Sequence, residues 1–278
     1  GRGGGMGEDG VMSQPANQSM SQPRSRSRAS SGPRRALVTG ASTGIGEATV
    51  RQLRSHGWDV IATARRVERL RALAADTGCA WIAADLQRAD DVEALAAEAL
   101  GAGGVDAVVN NAGGALGADP VADGSPQEWL TMYERNVLAA LRVTQALLPG
   151  MRERGGDVVF LTSTAAHDTY PGGAGYVAAK HGERIIANTL RLELVGEPVR
   201  IIEIAPGMVA TSEFSLNRFH GDRTAADAVY TGVEVPLTAS DVAECIVWAP
   251  AERPVRVNID SLIVRPRARA SNTAVARD

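Results

Sequence analysis

The chain has 278 residues, 44% of them hydrophobic and only 4% aromatic, with a formal net charge of −3. That is enough apolar material for a substantial core, and the charge gives no reason to expect a nucleic-acid partner. No apolar run approaches the roughly 20 residues of a membrane span.

The first 32 residues, rich in Gly, Ser, Gln and Arg, read as a disordered leader that buries too little apolar surface to offset its ordering entropy. They hold no secretory h-region. Arg34-Arg35 is no twin-arginine signal, because Ala36-Leu37-Val38 is too short an apolar run before a turn. Short apolar runs then alternate with helical patterns. Strands are expected at Ala36–Val38, Asp59–Ala62, Ala80–Ala83, Ala107–Val109, Asp157–Leu161 and Val199–Ile204, with a last one at Val257-Asn258-Ile259. Helices are expected over Glu47–Ser55, Val67–Ala75 and Asp91–Leu100, the last with Val92, Leu95, Ala96 and Ala99 on one face. Apolar strands alternating with helices indicate an α/β fold: a doubly wound parallel sheet of about seven strands with helices on both faces, a single Rossmann-type domain. The domain is expected over residues 33–266, with 267–278 as a loosely held tail. Cys79 and Cys245 match no metal spacing and read as reduced thiols, which suits a cytoplasmic protein.

Between the first strand and the first helix lies Thr39-Gly40-Ala41-Ser42-Thr43-Gly44-Ile45-Gly46. Such a turn aims backbone N–H groups and a helix N-terminus at a diphosphate, and its glycines let the ligand approach. The G-x-x-x-G-x-G spacing has no G-K-[S/T] ending, which argues against a nucleoside triphosphatase. After the second strand, where an NAD-binding chain usually places an acid, stand Arg65 and Arg66. A guanidinium can grip a 2′-phosphate and stack on adenine, so NADP(H) is expected over NAD(H), with Arg65, nearer the strand end, as the main contact. Further on, Tyr176 and Lys180 stand at i and i+4 on one helix face, with Ser163 thirteen residues upstream of Tyr176. A free tyrosine titrates near 10, and a nearby ammonium is expected to lower that value. The serine can hydrogen-bond a carbonyl.

These elements, with Asp85-Leu86, Asn110-Asn111-Ala112-Gly113, Asn136 and Pro206-Gly207 in the same order, resemble the short-chain dehydrogenase/reductase family over about residues 35–266. The resemblance implies that Asp85 and Leu86 flank adenine and that Asn111, Ala112 and Gly113 line the ribose side. Val209 and Thr211 would meet the nicotinamide carboxamide. Tyr176 would exchange a proton with the substrate oxygen, and Lys180 would hold the ribose and tune the tyrosine. Ser163 would polarise the carbonyl, and Asn136 would support a proton-relay water. The residues around 61–66, 213–222 and 257–262 further resemble the branch acting with NADP on small 3-hydroxy acids, serine-like substrates included. That branch implies a substrate lid over about 208–235 and a homotetramer. Arg218 in the lid is then a candidate carboxylate anchor and His167 a candidate substrate contact. Ala166-His167-Asp168 departs from the branch's usual glycine-containing loop, which leaves the substrate open.

Ser163, His167 and Asp168 do not make a hydrolase signature, since no G-x-S-x-G elbow surrounds the serine. Asp106, Asn110 and Thr162 read as braces of the sheet's carboxyl edge. The reading is an NADP(H)-dependent oxidoreductase of a carbonyl/secondary alcohol pair, with a small-molecule substrate and no metal. Two alternatives stay open: a reductase of bulkier ketones or aldehydes, and a non-catalytic NADP-binding sensor or scaffold.

Overall fold

The computed structural model describes residues 32–251, 254 and 256–277, so the expected leader lies outside the described residues except for Gly32. In chain order it runs β1 (Arg35–Thr39), α1 (Gly44–Ser55), β2 (Asp59–Ala64), α2 (Val67–Thr77), β3 (Ala80–Ala83), α3 (Ala89–Gly101), β4 (Ala107–Asn110) and α4 (Pro126–Tyr133). After a π-helical segment Glu134–Leu138 come α5 (Ala139–Arg154), β5 (Gly156–Leu161), a 3-10 turn Thr164–Ala166, α6 (Ala174–Glu193) and β6 (Val199–Pro206). The chain ends with β7 (Val209–Ala210), α7 (Phe214–Arg218), α8 (Arg223–Ala228), β8 (Leu237–Thr238), α9 (Ala239–Ala251) and β9 (Ser261–Val264).

Seven strands form one parallel sheet in the order β3-β2-β1-β4-β5-β6-β9. Side chains of a strand alternate between faces, so apolar strands feed two cores. Ala36 and Val38 pack with Val50, Leu53, Leu70 and Ile246 on one face, whereas Leu37 packs with Leu95, Val143, Leu147 and Phe160 on the other. The face expected of α3, Val92, Leu95, Ala96 and Ala99, is buried. Each fully buried Leu or Ile contributes about 1.5–3 kcal/mol.

Local signals fix the helix ends. Ser125 caps α4 by accepting from Glu128 N at 3.4 Å, with Pro126 in the first turn. Gly78 ends α2 with φ +69°, its N–H donating to Ala74 O at 2.8 Å. The amino edge of the sheet carries a charged cluster: buried Asp157 accepts from Arg200 Nε at 2.6 Å and from Arg34 at 2.7 Å. Asp106 also sits at this edge, accepting from Arg35 N at 2.8 Å, and so braces the end opposite to the one expected.

Two expectations are corrected. The last strand is Ser261–Val264 rather than 257–259. The earlier stretch is held by side chains instead of a ladder: Arg200 donates to Val257 O at 3.0 Å and Asn258 to Ile201 O at 3.1 Å. The segment after Pro266 is tied down rather than loose. Asn272 accepts from Thr164 Oγ1 at 2.8 Å and donates to Thr164 O at 3.2 Å, while Arg277 donates to Val229 O at 3.3 Å and to Thr231 O. Polar hydrogen bonds do this work, and they leave no apolar periodicity to read.

Candidate active site

Strand order reverses at β1 and β4, and a parallel sheet opens a crevice at the carboxyl tips of such a pair. The glycine turn leaves β1 there, and Asn111-Ala112-Gly113 leaves β4 beside it. Thr39 joins the two: its hydroxyl accepts from Asn111 N and Ala112 N, both at 2.9 Å, and donates to Val109 O at 3.2 Å. The Asn111 amide reaches Thr39 O at 2.7 Å and Gly40 O at 3.3 Å. A Cβ on Gly46 would stand 2.4 Å from Gly40 O, and Gly40 itself has φ +64°, so both positions demand glycine. At the start of α1, Thr43 provides no side-chain cap. The helix thus starts, at Thr43, Gly44 and Ile45, on the cleft lining without a side-chain cap, which fits an anionic diphosphate.

The cleft measures about 490 Å³ and is lined by Gly40, Thr43, Gly44, Ile45, Asn111, Ala112, Gly113, Ser163, Tyr176, Lys180, Pro206, Val209 and Thr211, all from the expected set. The 3-10 turn after β5 holds Ser163, whose hydroxyl donates to Pro206 O at 3.3 Å and accepts from Ala165 N at 3.1 Å. On α6, Tyr176 lies under the lid with Phe214 edge-on at 5.7 Å. Lys180 Nζ lies 6.0 Å from the Tyr176 ring centre and donates to Leu161 O at 2.9 Å.

Electrostatics reverse one expectation. Burial raises the Tyr176 phenol above its ordinary 10.0, and the opposing pull of Lys180 and the Ser163 hydrogen bond does not overcome it. The phenol is thus held as an acid. The ammonium is itself engaged with Glu183, 2.6 Å away and fully buried. Burial works to lower Lys180, but Glu183 and Tyr176 outweigh it and raise the net value. Burial also pushes the Glu183 carboxyl up to about 7 against the pull of Lys180.

Asn136 sits in the π segment, a register change that aims its side chain at the 113–114 backbone. Its amide donates to Gly114 O at 2.9 Å and Met132 O at 2.7 Å, and its oxygen accepts from Gly114 N at 3.1 Å. The side chain thus braces two elements. Ser42 is buried and accepts from both Arg66 Nε at 3.3 Å and Nη2 at 3.0 Å. It is therefore Arg66 that reaches back to the glycine turn, and it also pairs with Glu213 of the lid at 2.9 Å. Arg65 stands exposed next to Arg135, whose guanidinium is lowered first by burial and then by the charge of Arg65. Asp85 caps the turn before α3 by accepting from Gln87 N at 3.1 Å, and Leu86 is buried in the core.

The two substrate candidates differ from expectation. His167 is absent from the cleft lining; its Nε2 lies 3.0 Å from Glu203, which also accepts from Thr162 at 2.7 Å. The 3-10 turn swings this histidine toward Glu203 of β6. Arg218 does line the cleft, but it donates to Gly117 O at 3.0 Å, Gly172 O at 3.0 Å and Tyr170 at 3.2 Å, latching the lid to the opposite rim. Pro206 and Gly207 end β6 where the lid begins, and Met208 there takes φ +54°. The sequence reading quoted Thr39 in the glycine turn without giving it a role, and it missed Glu183 and the tail residues Arg269 and Asn272, the last two of which also line the cleft. Glu183 was findable, since it stands at i+3 from Lys180 on the same helix side.

A glycine cradle at a sheet switch point, beside a serine, a tyrosine and a lysine in one cleft, defines a nicotinamide-dependent oxidoreductase site. Comparison with known proteins agrees: the sequence model of the short chain dehydrogenase family matches residues 34–219, and the chain belongs to that family. It is 54% identical to an uncharacterized oxidoreductase of Mycobacterium tuberculosis (strain H37Rv), over 85% of this chain and 92% of that protein. It is 44% identical to a serine 3-dehydrogenase of Agrobacterium fabrum, over 83% and 92%. Among solved structures, serine dehydrogenase in its closed form with NADP+ superposes with a TM-score of 0.81 at 36% identity, covering 88% of this chain and 99% of that one.

Proposed function

We propose that this protein is an NADP(H)-dependent dehydrogenase/reductase of small 3-hydroxy acids, serine-like substrates included, and their semialdehydes or keto acids. The observation that carries the reading is the meeting of Ser163, Tyr176 and Lys180 in one cleft with the glycine turn. The paired arginines after β2 support the 2′-phosphate form of the cofactor. The likeness to serine 3-dehydrogenase supports the substrate class.

When bound, the nicotinamide supplies or accepts the hydride. The chain's residues do the rest. The uncapped start of α1 and Gly40, Gly44 and Gly46 receive the diphosphate. Arg66, anchored on Ser42, and Arg65 flank the 2′-phosphate, while Asn111, Ala112 and Gly113 border the ribose. Val209 and Thr211 orient the carboxamide. Ser163 hydrogen-bonds the substrate oxygen, and Tyr176, held protonated by burial, gives that oxygen its proton in reduction and recovers it in oxidation. Lys180, kept charged by Glu183, contacts the ribose and shares in the proton exchange. Asn136 acts by fixing the Gly114 backbone. We place the enzyme in the cytoplasm, in accord with two free thiols, as a homotetramer.

The test follows NADPH and NADP+ absorbance with 3-hydroxyisobutyrate, serine, 3-hydroxypropionate and the matching carbonyl compounds. Turnover of at least one is expected. Tyr176→Phe should lose about 10²–10⁴-fold in kcat while NADPH binding stays within about twofold. Full activity in that variant refutes the proton-donor role, and turnover of bulky neutral ketones alone refutes the hydroxy-acid class.

A further inference from the structure

The segment after Pro266 forms part of the cleft wall, with Arg277 on the lid carbonyls of Val229 and Thr231, and it brings a cation with it. Arg269 lines the cleft, and a Cβ on Gly207 would sit 3.1 Å from its Nη1. Gly207 directly follows Pro206, whose carbonyl holds the Ser163 hydroxyl at 3.3 Å. The guanidinium thus stands one residue along the chain from the anchor of the group that faces the reacting carbonyl.

Its position is built rather than incidental. Nε of Arg269 donates to Ser271 O at 2.9 Å and Nη2 to Asn272 Oδ1 at 2.6 Å. Asn272 in turn accepts from Thr164 Oγ1 and donates to the Thr164 and Asp168 carbonyls, so the tail is pinned to the turn that carries Ser163. A bridge between Arg269 and Val275 closes the segment into a small loop. Nη1 alone has no hydrogen-bond acceptor among the described residues. Nor, among the described residues, does any carboxylate lie within ion-pair distance of Arg269. Asp168, the acid that acts on its charge, has its oxygens on Thr169 N and Asn272 N. Burial lowers the Arg269 value, as expected for a cation enclosed without a partner anion. Arg218, the other arginine considered as an anchor, has all three of its nitrogens engaged with Gly117, Gly172 and Tyr170.

We infer that Arg269, not Arg218, is the carboxylate anchor of the substrate, and that the tail is a specificity element selecting short acids with one carbon between the reacting carbon and the carboxylate. The inference rests on the hydroxy-acid reading above and adds the residue that enforces it. An anion reaching Nη1 completes the nitrogen of the guanidinium that has no acceptor among the described residues, with a charge-assisted bond. It also relieves the enclosed charge. The substrate's hydroxyl end meanwhile remains at Ser163 and Tyr176.

Steady-state kinetics with NADP+ would compare 3-hydroxyisobutyrate with its methyl ester in wild type, Arg269→Gln, Arg269→Lys and Arg218→Gln. Arg269→Gln should raise KM for the acid about tenfold or more with a smaller change in kcat. The acid-to-ester ratio of kcat/KM should fall by a similar factor, and Arg269→Lys should recover part of it. Arg218→Gln should move acid and ester together. An unchanged acid-to-ester ratio in Arg269→Gln overturns the inference while leaving the hydroxy-acid reading intact. Wild-type turnover of the ester without the acid overturns both, and is separately visible before any variant is made.

Discussion

Glu183 shows what single residues contribute beyond their motif. Tyr176, Lys180 and Ser163 were legible because their spacing is fixed by one helix and one strand tip. The sign of the tyrosine shift was not, because it depends on how deeply the lid and Phe214 bury the phenol, and depth is a property of the assembled fold. Glu183 carries the consequence of the same burial. Its carboxyl rises from the ordinary 4.5 to about 7, so the folded protein holds a proton that the unfolded chain has released over that interval. The stabilisation is complete below the unfolded value and is lost as pH climbs through about 7. Glu183→Gln cannot titrate. The melting temperature of this variant, relative to wild type, should therefore rise across that window by about 6–12 °C, since a rise from 4.5 to about 7 is worth about 3 kcal/mol and about 1 kcal/mol moves Tm by about 2–4 °C at this size. A difference that stays flat with pH, measured by thermal melts in matched buffers, would sink the assignment.

Among the elements, the strand-to-helix connections divide into those sequence describes well and those it does not. The glycine turn was readable because left-handed backbone and close approach leave only one residue type. The connection from β2 to α2 was readable as cationic, but not in its geometry. Arg66, at the N-cap of α2, turns back onto Ser42, whereas Arg65 faces Arg135. Both arginines are therefore expected to contribute. Arg65→Ala and Arg66→Ala should each weaken NADPH about tenfold or more and NADH by less than about twofold, as measured by fluorescence titration. Equal losses for the two cofactors would remove the 2′-phosphate argument. The tail and the 257–259 stretch were misread for a common reason. Each is positioned by side-chain hydrogen bonds from distant residues, Asn272 to Thr164 and Arg200 to Val257, and such partners leave no local period.

For the molecule as a whole, the sheet and its two covered faces follow from seven apolar runs, and that level was the most legible. Association was less so, since a sticky face is recognised only when the helices are in place. Leu130 and Tyr133 on α4 and Ile185 and Leu192 on α6 are 56%, 45%, 58% and 76% exposed, on helices that pack together. Such a patch is more apolar than a lone surface needs. Size-exclusion chromatography with light scattering should give a mass well above the 29.1 kDa of one chain. The double substitution Ile185→Glu and Leu192→Glu should yield smaller, still folded species. A wild-type monomer at working concentration would count against the tetramer. One strand also hints at how such a protein can change. β5 begins beside the Asp157 charge cluster and leads at its far tip to Ser163, so robustness to heat and the reaction itself are written at opposite ends of the same few residues. A lineage moving to a warmer habitat can rework the first without disturbing the second.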